Sequence, residues 1–159
     1  MPIGGIANTP LLLFRSDLVE MGGAMWKSAA GLVCGLIMAC GSAHAQEISF
    51  RSPTGNIHCM IFSGTYAGAR CDLAKFTPSY PRPGDCDLDW GFAFEVGITG
   101  PGSPICAGDT VRQRNARVLK YGQSVTRSGI TCISAKTGMT CVNAQGHGFT
   151  VARAFQRAF

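Results

Sequence analysis

The chain has 159 residues, a length typical of one domain, and 46% of them are hydrophobic while 14% are charged. The low charge and the 21 glycines argue against a helical bundle, because glycine costs about 1 kcal/mol in a helix interior. The formal net charge of +5 is mild, and the basic residues are scattered apart from Arg112, Arg114 and Arg117. They are not interleaved with aromatic residues, so we expect no nucleic-acid partner.

Residues 25–45 have the three parts of a secretory signal peptide in the correct order. Lys27 supplies a positive start, residues 29–39 form an uncharged apolar run, and Ala43 and Ala45 make an A-x-A cleavage site. The run is 11 residues long, whereas a membrane span needs about 20, so we do not expect an integral membrane protein. A buried core helix is the alternative interpretation of this segment.

The signal peptide divides the chain into three parts. Residues 1–24 are predicted to be a misassigned start or a disordered extension, and residues 46–159 a single exported domain that begins at Gln46. The expected location is therefore periplasmic or secreted. A lipid on Cys40 is an alternative outcome, because residues 37–40 loosely resemble a lipobox.

Turn residues recur roughly every 8–12 residues in the exported part, which is typical of a small antiparallel sandwich or barrel of hairpins. Prolines within residues 77–85 predict an extended surface crossing without helix. Residues 110–118 are expected to form strand, loop and strand. Phe155 and Phe159 are four residues apart, so residues 151–159 are predicted to close as a short helical turn. The predicted fold class is all-β, with strands at 48–50, 57–62, 90–96 and 148–151 and a hairpin at 129–143.

Eight cysteines occur in the sequence, and Cys34 and Cys40 belong to the predicted signal peptide. An even set in a small exported domain indicates three disulfides, whereas a zinc site would need paired CxxC-type spacing, which is absent. Six cysteines allow 15 pairings, so their number alone does not choose among them. The six are Cys59, Cys71, Cys86, Cys106, Cys132 and Cys141.

Local patterns favour pairing between neighbouring cysteines. Residues 129–143 contain two near copies of one Gly-x-x-Cys phrase, nine residues apart. A two-residue turn at 136–137 would place Cys132 opposite Cys141, within disulfide reach. The other expected pairs are Cys59–Cys71, by the same hairpin reasoning, and Cys86–Cys106, by elimination.

The acidic phrase around Cys86 offers carboxylates as candidate binding groups. It begins like a calcium loop, but the glycine comes one place late and the closing glutamate is missing. Asp87 and Asp89 would share a face if they lay on one strand, as paired catalytic carboxylates can. The alternative interpretation is a solvated acidic face above buried Leu88 and Trp90.

His147 lies between two glycines, which let the backbone approach closely, and it is a candidate general base or ligand. Only His58 could join it in the exported part, so the sequence predicts no metal site. A hydrogen-bonded structural histidine in a tight corner is the alternative. No nucleophile elbow, phosphate loop or dinucleotide fingerprint is present, and no odd cysteine is left as a nucleophile. We therefore name no catalytic residue and expect no cofactor.

Six short phrases stand out: SPTGNIHC at 52–59, RP with DCD at 82–87, CAGDTV at 106–111, LKYG at 119–122, GMTCVN at 138–143 and GHGF at 146–149. Together they resemble a family of short exported bacterial proteins that is defined only as a domain of unknown function. The resemblance covers nearly all of residues 48–159. It implies an extracytoplasmic, disulfide-containing domain, and it implies no activity, substrate or catalytic residue.

The expected function is a non-enzymatic exported module that binds an unidentified protein or a cell-envelope polymer as a monomer. A first alternative is a small hydrolase that uses His147 with Asp109, or with Asp87 and Asp89. It requires these groups within about 3 Å of one another, or one water apart. A second alternative is an enzyme inhibitor that presents an exposed rigid loop, such as residues 77–84.

Overall fold

The computed structural model describes residues 47–159, and the predicted signal peptide and the segment before it lie outside the described residues. Within this part of the chain, no helix is long and apolar enough to cross a membrane. Regular structure consists of strands and one turn of 3-10 helix at Gly64–Tyr66. In chain order the strands are β1 (Ile48–Arg51), β2 (Ile57–Phe62), β3 (Gly68–Leu73), β4 (Asp89–Gly97), β5 (Ser103–Ala107), β6 (Arg117–Val118), β7 (Ser124–Arg127), β8 (Ile130–Ala135), β9 (Gly138–Asn143), β10 (Gly148–Ala152) and β11 (Phe155–Ala158).

The strands form two open sheets. One sheet has six strands in the order β5-β4-β3-β2-β1-β6, and the other has five in the order β11-β10-β9-β8-β7. Neighbouring strands are antiparallel, except that β1 and β6 run parallel. The all-β prediction is confirmed, and of the two predicted arrangements the chain adopts the sandwich.

Apolar residues of both sheets meet in one core. In β8 and β9 every second residue is buried, as the two-residue period of a strand requires when one face packs inward. Phe50, Phe94 and Phe149 are fully buried, and the rings of Phe94 and Phe149 lie 6.2 Å apart with tilted planes. Each such side chain contributes about 1.5–3 kcal/mol through burial, so this aromatic centre is a main source of stability.

The three disulfides have the predicted partners. Cys132 faces Cys141 across the β8–β9 hairpin with their Cα atoms 4.0 Å apart. Ala135 faces Gly138, so the hairpin turn has two residues, as predicted. The other two bridges are Cys59–Cys71, between β2 and β3, and Cys86–Cys106, which joins the segment before β4 to β5.

The connection from β5 to β6, which we call the crossover loop (residues 108–116), packs across the outer face of the six-stranded sheet. The crossover loop joins β5 and β6, which lie at opposite edges of that sheet, so it must pass over the strands between them. Val111 and Ala116 of the loop are buried, and the carbonyl oxygen of Ala116 accepts a hydrogen bond from Arg51 Nε at 3.3 Å. Consequently every residue of β3 is buried, on both faces.

The proline-rich segment, residues 77–85, is extended and contains no helix, as predicted. Part of it covers the free edge of β11. Gln156 exchanges hydrogen bonds with Ser79, and the backbone N–H of Ala158 donates to the Tyr80 hydroxyl at 2.8 Å. An uncovered strand edge is a template for aggregation, so this covering gives the segment a structural role.

The prediction of a C-terminal helical turn is wrong. Residues 155–158 form β11, which pairs with β10 so that Ala152 faces Phe155. The spacing of Phe155 and Phe159 suits a helix, but β10 supplies the backbone of this segment with hydrogen-bond partners. Gln156, between exposed neighbours, is buried because a strand alternates its faces.

Two further details differ from the prediction. Residues 110–116 are irregular, because the backbone N–H of Val111 donates to the Asp72 carboxylate at 2.9 Å and not to a neighbouring strand. Two strands, β5 and β7, are not among those predicted from the sequence. Both are edge strands whose side chains are largely exposed or half-buried, so they lack the strong apolar alternation that marks an inner strand.

Candidate functional site

Turns from both sheets surround a cleft of about 550 Å³ at one end of the sandwich. Its walls come from the β1–β2 turn, the segment after β3, the turn before β7, and the β8–β9 and β10–β11 turns. We call it the basic cleft, because its charged lining residues are all cations. They are Lys75, Arg112, Lys136 and Arg153.

The β1–β2 turn forms one wall, and its own hydrogen bonds hold it in place. Gly55 has a φ of 69°, a left-handed conformation that favours glycine, and its N–H donates to the Ser52 carbonyl oxygen at 2.9 Å. The buried Ser52 hydroxyl accepts the N–H of Ile57 at 3.1 Å. The turn is therefore fixed, and it leaves Thr54 exposed at the cleft.

Lys75 is tied to the same turn through Asn56. The Asn56 side chain donates to the Lys75 carbonyl oxygen at 3.0 Å and accepts the Lys75 N–H at 2.9 Å. Because both polar atoms of the amide are used, the backbone that carries the Lys75 ammonium group has a defined position relative to the turn.

The facing wall consists of tight turns in the five-stranded sheet. Lys136 lies in the two-residue β8–β9 turn and Arg153 in the two-residue β10–β11 turn. Gly138 allows the two turns to approach, since a Cβ there would lie 2.5 Å from the carbonyl oxygen of Val151. Tyr121, which is 40% exposed, completes this side of the cleft.

Among residues 47–159, no carboxylate lines the basic cleft. In residues 47–159 the ion pairs both involve Arg70, so none of the four cleft cations has an ion-pair partner in that part of the chain. Like charges held around one cavity repel one another and attract anions. The chemistry of the cleft is therefore that of an anion-binding site.

The basic cleft is not among the sites predicted from the sequence, although the sequence contains one signal for it. Residues 110–159 contain eight basic residues and no acidic one, whereas residues 47–109 contain four basic and seven acidic residues. Such asymmetry between two halves of a chain points to an anionic partner. The cleft cations are far apart in sequence, so only the fold brings them together.

A smaller cavity of about 280 Å³ brings together two of the predicted site residues, Asp89 and Asp109. Asp72 lines the same cavity, and Arg112 lines both this cavity and the basic cleft. Asp87 is exposed in the irregular segment before β4, so it does not share a strand face with Asp89.

Arg70 engages two of these carboxylates. Its guanidinium group donates to Asp72 Oδ1 at 2.8 Å and to Asp109 Oδ1 at 2.9 Å. The hydrogen bond from Arg70, together with its charge, holds the pKa of Asp109 below its ordinary value. Asp72 also accepts the N–H of Val111. The Arg70 cluster, which consists of Arg70, Asp72 and Asp109, therefore fastens the crossover loop to β3.

His58 lies on the same outer face of the six-stranded sheet and is buried. Its Nε2 lies 3.2 Å from the Gly55 carbonyl oxygen and therefore carries the proton, while its Nδ1 has no hydrogen-bond partner among the described residues. Burial is the main cause that lowers the pKa of His58, and the charge of Arg112 lowers it further. The hydrogen bond to Gly55 opposes this, while Arg51 lowers the pKa and Asp72 raises it by smaller amounts. The imidazole is thus held in its neutral form.

The structure does not bring His147 to the aspartates. His147 lies in the exposed β9–β10 turn, where its backbone N–H donates to Asn143 Oδ1 at 3.1 Å. The Asn143 amide also donates to the carbonyl oxygens of Gly97 and Gly100. Gly97 ends β4, whereas Asp89 begins it, about 25 Å away along an extended strand.

The expectation that Leu88 is buried is wrong, since the residue is 53% exposed. Leu88 precedes β4, and Arg82 Nη2 donates to its carbonyl oxygen at 2.7 Å. Because Leu88 is not part of the strand, the alternation of strand faces does not direct its side chain into the core. Trp90 is half-buried and donates its Nε1–H to the Tyr80 carbonyl oxygen at 3.2 Å.

One group of potential metal ligands is close together in the described residues. The sulfur atoms of Cys59, Cys71 and Cys141 lie within 4.8 Å of one another, and all three are buried. Each sulfur is bonded in a disulfide, whereas metal ions require thiolates. The group is therefore part of the core.

A family model described as a family of unknown function (DUF6636) matches residues 30–159. The chain belongs to this family. No curated protein and no solved structure matches the chain. The part that matches DUF6636 includes the whole described sandwich, so the basic cleft and the Arg70 cluster both lie inside the family's domain.

Proposed function

We propose that this DUF6636 protein is an exported, non-enzymatic module that binds an anionic ligand in its basic cleft. The observation that carries the proposal is the lining of the cleft, where, within the described part of the chain, four cations from four separate segments meet without a carboxylate. The cleft volume of about 550 Å³ falls in the range of about 300–1,000 Å³ that is usual for ligand sites.

The three disulfides support the exported location, because disulfides form and persist in oxidising compartments. The proposal includes cleavage after Ala45, which gives a mature chain that starts at Gln46. Mass measurement of the secreted protein, reduced and unreduced, tests this directly. A mass that includes a lipid on Cys40 would contradict the proposed cleavage.

The positions of the candidate catalytic groups support a non-enzymatic role. His147 lies at the Gly97 end of β4, whereas Asp89 and Asp109 line the cavity at its other end. The Asp109 carboxylate is engaged by Arg70, and the six cysteines of the domain are all in disulfides. The candidate base His147 and the candidate carboxylates, all within residues 47–159, are therefore not assembled in one place, as acid–base catalysis requires.

Anion binding is tested by titrating the secreted domain with galacturonate and with inorganic phosphate at low salt, followed by NMR of the backbone amides. The amides of Gly55, Lys75 and Lys136 should shift, and Arg153→Gln should weaken the binding of either anion several-fold. The matched control is Arg157→Gln, which removes the same charge from β11, four residues along the chain and outside the cleft. Shifts that avoid the cleft, or equal effects of the two variants, would overturn the proposal.

A further inference from the structure

We infer that the ligand of the basic cleft is a linear acidic polysaccharide, which binds through several carboxylates at once. The inference rests on the proposed function and specifies its ligand. It follows from the number and distribution of the cations, from the basic segment that continues beyond the cleft, and from the uncharged groups between the cations.

The cations are spread around the cleft. Lys75 follows β3, Arg112 belongs to the crossover loop, and Lys136 and Arg153 lie in two hairpin turns. A single small anion neutralises one or two such groups and leaves the others unpaired. A chain with one carboxylate in each repeating unit can satisfy all four, and the planar fork of an arginine pairs with a carboxylate in two parallel hydrogen bonds.

Positive charge continues along the chain from the cleft. Lys120 directly precedes Tyr121, which lines the cleft, and Arg117 lies three residues earlier in the edge strand β6. Both side chains are exposed, and neither forms an ion pair with any residue in 47–159. No acidic residue follows Asp109 in the sequence, so nothing in that half of the chain repels an extended polyanion.

The surfaces between the cations suit a sugar chain. Thr54 is exposed, and its hydroxyl contacts Ser52 Oγ at 3.2 Å and the Asn56 N–H at 3.4 Å, which leaves one of its three hydrogen-bonding positions free. Tyr121 is 40% exposed and lines the cleft together with apolar Ala135 and Ala152. A sugar ring has an apolar face and a rim of hydroxyls, so an aromatic ring with neighbouring hydroxyl groups matches it. A simple polyphosphate would use the cations and leave these uncharged groups unused.

The test compares galacturonate, its linear hexamer and a polyphosphate of similar length, by isothermal titration of the secreted domain. The hexamer should bind at least about tenfold more tightly than the monomer, because linked anionic groups raise one another's effective concentration. The affinity of the hexamer should fall steeply with added salt, because binding releases counterions from the polyanion and a higher salt concentration opposes that release. The double variant Arg117→Gln/Lys120→Gln should weaken hexamer binding and leave monomer binding unchanged, with Arg157→Gln as the control for both.

The possible failures are distinct. If the monomer binds in the cleft but the hexamer binds no more tightly, the polysaccharide inference fails and the proposed function stands. If polyphosphate binds more tightly than the hexamer, the sugar assignment fails. If none of the three anions binds, both the inference and the proposed function are contradicted.

Discussion

The Sγ atoms of Cys71 and Cys141 lie 3.7 Å apart, although they belong to different disulfides and to different sheets. Cys71 is bonded to Cys59 within the six-stranded sheet, and Cys141 to Cys132 within the five-stranded sheet. All four residues are fully buried. The two bridges therefore pack on each other at the centre of the sandwich, and they act as core side chains as well as crosslinks.

This packing predicts that the double variant Cys132→Ala/Cys141→Ala is more destabilised than Cys86→Ala/Cys106→Ala. Loop-closure entropy alone gives each bridge about 3 kcal/mol and slightly favours the one with the longer separation, which is Cys86–Cys106 at 20 residues against nine. Removal of two fully buried sulfurs adds a cavity cost of about 1–2 kcal/mol to the first variant. The added cost is smaller for the second variant, because Cys86 is buried but Cys106 is exposed. Urea unfolding of both variants measures which of them is less stable. If Cys86→Ala/Cys106→Ala is the less stable one, packing between the bridges contributes little.

In the Arg70 cluster, substitution of Arg70 should lower the free energy of unfolding much more than substitution of Asp109. Arg70→Met leaves the Asp72 carboxylate buried without its ion-pair partner, which should destabilise the domain by about 3–5 kcal/mol. Asp109→Asn removes a partner whose side chain is 81% exposed, so its cost should stay within about 1 kcal/mol. Free energies of unfolding from denaturant titration test the contrast. Similar losses for both variants would mean that the Asp109 contact holds the crossover loop as strongly as the buried pair.

Buried neutral His58 predicts that stability falls in mild acid. The native pKa of His58 is lowered, chiefly by burial, while the unfolded chain has the ordinary value of about 6.5. Above that pH both states are neutral; below it the unfolded state takes up a proton that the native state resists, so the free energy of unfolding falls as pH falls.

The measurement is the urea midpoint at about pH 7.5 and about pH 5.5, on either side of the ordinary histidine pKa. His58→Gln should lose part of the decrease seen in the parent domain. The matched control is His147→Gln, which changes an exposed histidine in the β9–β10 turn and should keep the decrease. If His58→Gln keeps the full pH dependence, another group is responsible.

Two nearby glycines at the β9–β10 turn should differ sharply in how much stability is lost when each is replaced by alanine. A Cβ on Gly148 would collide with the carbonyl oxygen of Cys141, inside the sheet, so Gly148→Ala should prevent normal pairing of β10 with β9. Gly146 has a φ of 81° and open space around its Cβ position, so Gly146→Ala should cost only about 1 kcal/mol of backbone strain. Thermal unfolding compares them, and equal melting temperatures would contradict the close approach at Gly148.

Local chemistry was enough to predict the parts of the fold that depend on near neighbours. The hairpin at residues 129–143, its two-residue turn and the Cys132–Cys141 bridge follow from alternation and from a glycine placed where the turn needs one. The C-terminal segment shows the limit of such reasoning. Phe155 and Phe159 have helical spacing, yet the partner offered by β10 decided the outcome.

The positions of the candidate site residues also depend on contacts that are distant in sequence. Asp89 and Asp109 come together because β4 pairs with β5, and Arg70 then turns the Asp109 carboxylate into a fastening for the crossover loop. Asn143 accepts the His147 N–H within its own sheet and donates to the Gly97 carbonyl oxygen of the other sheet, which places His147 at the other end of β4. Pairings of this kind join residues that are distant in sequence, so the pattern around each residue does not contain them.

The sequence by itself determined the all-β class, the number and partners of the disulfides, and the excess of positive charge. These properties follow from composition and from contacts between residues close along the chain. The tertiary structure alone decided that Lys75, Arg112, Lys136 and Arg153 surround one cleft, and that Cys71 meets Cys141 between the sheets. The physical reason is that each of these contacts depends on how two sheets pack and how a loop crosses one of them, and such packing is a property of the whole chain.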